Sequence, residues 1–326
     1  MSYSVSREEL ARLEPEWRAL IPKSFVRNAF LTPVWLRIWW EEFADGHELM
    51  LLAVRNGREL VAVAPLMRDG DRLCFAGDSQ ICDYMDLTLA KGTEDKVAAA
   101  LFRALSEEPW RELVLWAIPE YSPSLQVLST AAQDAGLKVD IQVEDVCPGV
   151  SLPATWEDYL SSLSGKDRHE LRRKMRRLTK GASVELEELT EAASISAALE
   201  DFLRLHAASR FEKARFMTDR MKRFFRRVIS ALAEEGVVRL YFLALNGVRG
   251  AAVLCFAGER ELLLYNSGYD PSFAPLSVGV ISKAMALKRA IEDGKQRFDF
   301  LRGAEAYKYD LGARDLNVYR MVIRRT

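Results

Sequence analysis

VVRLYFLALNGVRGAAVLCFAG, residues 237–258, sets two strand-like runs on either side of Asn246 and Gly247. An Asn-Gly pair between β-branched and aromatic runs is a strong short-range hairpin signal, because both residues tolerate the positive φ that a tight turn needs. The same pattern occurs 190 residues earlier in LMLLAVRNGRELVAVAPL, residues 49–66, around Asn56 and Gly57. Working outward, the first hairpin follows helices expected at 6–20 and 33–45. The second of these has Thr32 as N-cap, Pro33 at the first helical position and Leu36, Trp39, Trp40 and Phe43 on one face. A strand RLCFAGD, a helix at 94–107, a strand at 112–118, a helix at 123–135 and a strand at 137–144 come next.

The second hairpin has the same surroundings. Helices are expected at 194–210 and 218–235, then a strand ELLLYNSGYD at 261–270, a helix at 276–292, a strand RFDFL at 297–301 and a last strand at 316–324. The shared order predicts an internal duplication: an α/β (α+β) protein with mixed sheets, in two tandem domains. Pro148, Gly149 and Pro153 mark the junction, which divides the chain into 1–150 and 151–326.

Composition limits the function. At 326 residues the chain exceeds one ordinary core, and 49% hydrophobic with 29% charged residues is globular. The formal charge of -1 excludes a globally basic nucleic-acid binder, so an anionic partner must be met locally. Cys74, Cys82, Cys147 and Cys255 are scattered, which predicts neither disulfides nor a metal site. No apolar run nears the roughly 20 residues of a membrane span, and the acidic amino terminus lacks a leader's apolar stretch, so a cytoplasmic location is expected.

Three stretches could carry chemistry. SGKDRHELRRKMRRLTK, residues 164–180, aligns Arg168, Arg172 and Arg176 on one helix face and Leu171, Met175 and Leu178 on another. The arginine row can grip phosphates or simply be a solvated face paired with nearby glutamates. In the segment from Tyr265 to Gly294, Tyr265 and Tyr269 precede a helix entered through Ser277, Val278 and Gly279. Its first-turn N–H groups can bind a pyrophosphate, although Ser277 also reads as an ordinary N-cap. RFDFLRGAEAYKYDLGARD, residues 297–315, clusters Asp299, Arg302, Gly303, Glu305, Tyr307 and Lys308 at a strand end. His206, in FLRLHAASRF, is the one histidine placed to act as a base.

LYFLALNG, the GYDP after the third strand, the helix ending in EDG, and FDFLRGAEAYK together resemble the CelD-like acetyltransferase family of the GNAT superfamily. FLTPVWLRIWWEEFADG at the amino terminus resembles that family's opening. The family is similar to the Fem aminoacyltransferases, which carry two GNAT units in tandem. The resemblance implies transfer of an acyl group, usually acetyl, from acyl-CoA to an amine of a small sugar or amino-acid derivative, often in exopolysaccharide or envelope synthesis. Asp299, Arg302, Gly303, Tyr307 and Lys308 match its terminal signature. Lys308 resembles the Fem lysine after the corresponding strand, with the implied role of stabilising charge on the acyl carbonyl.

APLSVG, residues 274–279, stands where GNAT proteins usually carry Gln or Arg followed by xxGxG or xxGxA. Two donors therefore remain: acyl-CoA, held by Ser277, Val278, Gly279, Arg302 and Gly303, or an aminoacyl-tRNA gripped by the basic helix. A non-catalytic binding protein on the same fold is a third reading. For amine attack, Asp299, Glu305 and His206 are the candidate bases, and Lys308 and Tyr307 the candidate oxyanion donors. Arg168, Arg172, Tyr265 and Tyr269 are the candidate substrate contacts. Neither Cys255 nor any serine lies in a nucleophile-elbow sequence, which predicts direct transfer without a covalent acyl-enzyme.

Overall fold

In a computed structural model, which describes residues 3–325, the chain divides into two compact units. One unit runs to Val146 and resumes at Leu316; the other spans Cys147–Asp315.

The first unit opens with β1 (Tyr3–Arg7), α1 (Leu10–Leu20) and α2 (Pro33–Phe43). At α2 the Thr32 hydroxyl accepts from the Trp35 N–H at 3.2 Å, as an N-cap should, and Trp35, Leu36 and Trp39 are buried. There follow β2 (Glu48–Asn56), β3 (Glu59–Asp69), β4 (Arg72–Phe75), β5 (Thr88–Leu89), α3 (Glu94–Ser106), β6 (Glu112–Pro119), α4 (Ser124–Asp134) and β7 (Lys138–Val146).

The second unit starts with β8 (Gly149–Ser151), α5 (Trp156–Ser162), α6 (Gly165–Thr179) and β9 (Val184–Leu189). Then come α7 (Ala192–Ala208), α8 (Phe211–Phe216), α9 (Asp219–Glu234), β10 (Val238–Leu245), β11 (Val248–Ala257) and β12 (Glu261–Tyr269). It ends with α10 (Val278–Glu292), β13 (Arg297–Asp299) and α11 (Ala306–Asp310). On the basic helix α6, Leu171, Met175 and Leu178 do form the docking stripe, packed on the core side chains of β10, β11 and α10.

The last strand, β14 (Asn317–Arg324), departs from the expected division at residue 150. It pairs antiparallel with both β6 and β7 and so completes the first sheet, in the order β1-β2-β3-β4-β6-β14-β7 with β5 beside β3. The second sheet has the order β9-β10-β11-β12-β13-β8. Each sheet is an antiparallel meander followed by one parallel pair, β4 with β6 and β12 with β13, so the duplication predicted from sequence extends to strand order.

The two hairpin turns differ by a residue. Asn246 and Gly247 form the second turn, at φ +49° and +79°, between paired Leu245 and Val248. In the first, Asn56 is still in the ladder opposite Glu59, and the turn is Gly57 with Arg58. Gly at the first central position supports that alternative turn.

Candidate active site

β12 and β13 pair only over Leu263–Asp299 and the two preceding positions, after which β12 continues to Tyr269 beside β11 alone. A bulge at Tyr265 shifts the pleat, so that Ser267 and Tyr269 face a cavity of about 330 Å³ at the end of this strand. Ser209, Arg210 and Lys213, where α7 passes into α8, form a second wall. The start of α10 supplies Ser277, Gly279 and Lys283, and the turn into α11 supplies Glu305 and Tyr307.

Local sequence explains the walls. At Gly268 a side chain would collide with the backbone of His206, so glycine lets α7 lie directly on β12. At Gly279 a Cβ would come within 2.9 Å of the Tyr269 ring, so glycine lets that ring cover the first turn of α10. Ser277 takes a left-handed conformation, φ +60°, and gives α10 no side-chain cap. Its hydroxyl instead accepts from the guanidinium of Arg177 on α6 at 2.9 Å.

The electrostatics are dominated by cations. Lys283 is 7% exposed; its Nζ donates to the Gly279 carbonyl at 2.6 Å and lies 4.8 Å from the Tyr307 ring centre. Burial, with the charges of Lys213 and Arg210, pushes its pKa down to about 7. Lys213 donates to the Ser267 carbonyl, and burial together with Arg210 lowers its pKa to about 8. Glu305 is the carboxylate in the cavity wall. Burial works to raise its pKa, but the hydrogen bond and charge of Lys308 outweigh it and hold the carboxyl below its ordinary range. Burial raises the Tyr307 phenol, which therefore keeps its proton.

Of the residues expected from sequence, Glu305, Tyr307, Tyr269, Ser277 and Gly279 come together in the cavity wall, and Val278 is buried as the first residue of α10. Others have different surroundings. Lys308, 2% exposed, spends its ammonium on the carbonyls of Leu301, Arg302 and Gly303, at 2.9, 2.8 and 2.8 Å, and pairs with Glu305 at 2.9 Å. An ammonium has three donors, so none is left for an acyl oxygen. Asp299 is buried, accepts from the Leu301 N–H at 2.8 Å and pairs with Arg297 at 3.2 Å. These bonds hold a loop whose Leu301 and Gly303 have φ of +56° and +104°. Arg302 and Gly303 belong to that loop and not to the cavity wall.

His206 also lies outside the wall, packed against Phe202, Phe216 and Phe225. Its Nε2 meets Asn266 Oδ1 at 3.0 Å, burial, reinforced by Lys213, lowers its pKa to about 4, and its ring does not reach the cavity in which the base role expected of it would be played. Tyr265 stacks between Phe225 and Phe256 in the core, away from the substrate contact expected of it. Arg168 bonds the Ser161 carbonyl and Arg172 pairs with Glu157 on the exposed side of α6. Ser209, Arg210, Lys213, Ser267 and Lys283 were not expected. Lys283 left one readable signal, an amine set between Val280 and Leu287 on the apolar face of its helix.

Residues 165–309, a span short of half the chain, match the family model described as Acetyltransferase (GNAT) domain. The second unit carries a GNAT acyltransferase domain. Among solved structures, FemX superposes with a TM-score of 0.66 at 11% identity, over 98% of this chain and 97% of its own. The C-terminal domain of a putative lysylphosphatidylglycerol synthetase from Agrobacterium fabrum gives 0.63 at 13% identity, over 96% and 92%. A tandem GNAT protein from the clavulanic acid biosynthesis pathway gives 0.51 at 13% identity, over 98% of each chain. At such identities the likeness is one of fold, and it agrees with two GNAT-like units. No curated protein matches the chain by sequence. Among the described residues, no helix is long and apolar enough to cross a membrane.

Proposed function

We propose that the second unit transfers an acyl group, acetyl in the simplest case, from an acyl-CoA to an amine of a small sugar or amino-acid derivative, in the manner of CelD-like enzymes of exopolysaccharide or envelope synthesis. The observation that carries this reading is the cavity itself, where the open edge of β12, the uncapped start of α10 and the Glu305–Tyr307 pair converge. The first-turn N–H groups of α10, with Arg177 beside Ser277, suit the donor's pyrophosphate. The thioester supplies an electrophilic carbonyl.

Glu305, directly or through water, takes a proton from the acceptor ammonium and frees its lone pair. The nitrogen bonds to the carbonyl carbon, the C–S bond breaks, the thiolate takes a proton from Tyr307 in the cavity wall, and the phenolate recovers one from the attacking nitrogen, which leaves a neutral amide. Backbone N–H groups on the β12 edge are the remaining oxyanion donors, since Lys308 is committed to its loop. Titration of the protein with acetyl-CoA tests the reading. Saturable binding that weakens about tenfold in Arg177→Gln is expected, from the loss of one charge-assisted contact. Absence of binding by acetyl-CoA and by longer acyl-CoAs would overturn it.

One observation favours a second donor. Lys166, Arg176 and Lys180 on and beside α6 have no ion-pair partner among the described residues, which leaves an exposed cationic row suited to a nucleic-acid backbone. In that case an aminoacyl-tRNA binds where CoA does not, and its affinity falls steeply with salt.

A further inference from the structure

The cavity has an unbalanced charge. Arg210, Lys213 and Lys283 all line it, and among the described residues none of the three has a carboxylate within ion-pair distance. Lys283 and Lys213 bond only to main-chain carbonyls, of Gly279 and Ser267. The one carboxylate in the wall, Glu305, is engaged by a fourth cation, Lys308, at 2.9 Å. Burying an ammonium without a counter-ion is costly, and carbonyl dipoles repay that cost only in part. A chain that places these three cations, Lys283 buried, Lys213 half-buried and Arg210 exposed, around one cavity is stabilised when an anion enters it.

The donor's phosphates do not account for the three cations. Arg177 already brings a guanidinium to Ser277 at the start of α10. Arg210, Lys213 and Lys283 gather instead around Glu305, whose charge is felt by both lysines and itself feels Arg210. Glu305 is the group that would deprotonate the attacking amine, so an anion held by these cations belongs to the molecule that carries the amine.

We propose that the acceptor is an amine that also bears an anionic group, a carboxylate or a phosphate, held between Arg210, Lys213 and Lys283. The proposal names the substrate class within the acyltransfer reading and rests on it. It excludes plain amines and neutral amino sugars as preferred acceptors, because they would leave the three charges uncompensated.

Thermal unfolding of the full chain with inorganic phosphate or malonate as probe, with and without saturating CoA, tests it. Either anion should raise the Tm of the wild type, and should do so to the same extent when CoA is present. In an Arg210→Gln/Lys213→Met double variant the anion-induced shift should fall by more than half. Lys283→Met should unfold at a higher temperature than the wild type without anion, through loss of an uncompensated buried charge. Arg210 is exposed, so Arg210→Gln alone gives a folded control. Loss of the anion effect on adding CoA would assign the cations to the donor's phosphates and overturn the proposal. No wild-type response, or an equal response in the variants, would overturn it as well. A shift with the anions but none with CoA would support the anion site while refuting the acyl-CoA donor, so the two readings fail separately.

Discussion

The two units share a frame and differ in how they treat charged groups held away from solvent. In each, the second strand of the parallel pair leads into a non-glycine residue in the left-handed region, Ala117 near the end of β6 at φ +52° and Leu301 just past β13 at +56°. In each, a carboxylate takes that residue's N–H, Glu144 for Ala117 and Asp299 for Leu301, both at 2.8 Å. Such a conformation costs about 1–3 kcal/mol, and it persists where neighbouring bonds over-determine it. Away from that shared point the units part. Asp86 of the first unit is buried and satisfied from within, by the Ser122 hydroxyl and the Leu87 N–H, and Trp17 donates to Thr88 at 2.8 Å. The second unit keeps Lys283 and Lys213 without an anionic partner at its cavity. Duplication accounts for the frame; under the proposal above, the uncompensated charge marks the unit that meets a ligand.

The largest expected effect lies in the loop of the second unit. Lys308→Met leaves three carbonyls without their ammonium and should cost about 3–5 kcal/mol in urea unfolding, the range for breaking a buried charged network. Stability near wild type with activity lost would instead mean that Lys308 touches the substrate. Glu305→Gln should lower kcat about 10²- to 10⁴-fold with little change in acceptor KM, as expected when a general base is removed. The acid limb of the wild-type pH–rate profile should fall below the ordinary carboxylate range, in keeping with the lowered Glu305 pKa, and should vanish in the variant. In the first unit, Asp86→Ala orphans the Ser122 hydroxyl and the Leu87 N–H and should cost about 1–3 kcal/mol. Its kcat should stay at the wild-type value; a large fall would give the first unit a part in the chemistry.

Lys283 sharpens the contrast through pH. Its folded pKa is about 7, against an ordinary value of 10.5. Between those values the unfolded chain holds a proton that the folded chain has released, so this group makes stability rise with pH across that window. Lys213, Arg210 and Lys308 push the value down and Glu305 pulls it up, and Lys213, itself lowered to about 8, contributes with the same sign. Tm measured from pH 7 to pH 10 should therefore climb in the wild type and climb less in Lys283→Met. Equal slopes would mean that Lys283 is solvated.

Local signals in the sequence carried the parts of this structure that depend on local chemistry. The Asn246–Gly247 turn is legible because positive φ at two positions is a property of those residues. The strand at 316–324 is legible as a strand, but its place in the first sheet depends on pairing with β6 and β7, and alternation of side chains does not name a partner. Glu305, Tyr307, Ser277 and Gly279 were recognisable as polar and small residues beside a strand end and a helix start. From sequence Lys308 reads as an oxyanion donor, because the three carbonyls that accept its hydrogen bonds are gathered only once Leu301 and Gly303 take their conformations. Arg210 and Lys213 sit at a short helix whose sequence carries no periodic signal, so only packing brings them to the cavity.

His206 should show the smallest effect, and it separates a buried polar group from a working one. Asn266 Oδ1 accepts from its Nε2, which leaves the Nδ1 lone pair buried and without a partner. An imidazole with a pKa near 4 keeps its single N–H proton at neutral pH and has little tendency to take a second. His206→Phe keeps the ring among Phe202, Phe216 and Phe225, gives up the Asn266 bond and removes the unpaired nitrogen. These terms oppose each other, so stability should change by no more than about 1 kcal/mol. Steady-state kinetics should give kcat within about threefold of wild type, because the ring lies outside the cavity wall. A hundredfold loss in kcat at unchanged Tm would show the proton path running through α7, and Glu305 would then no longer suffice as the base.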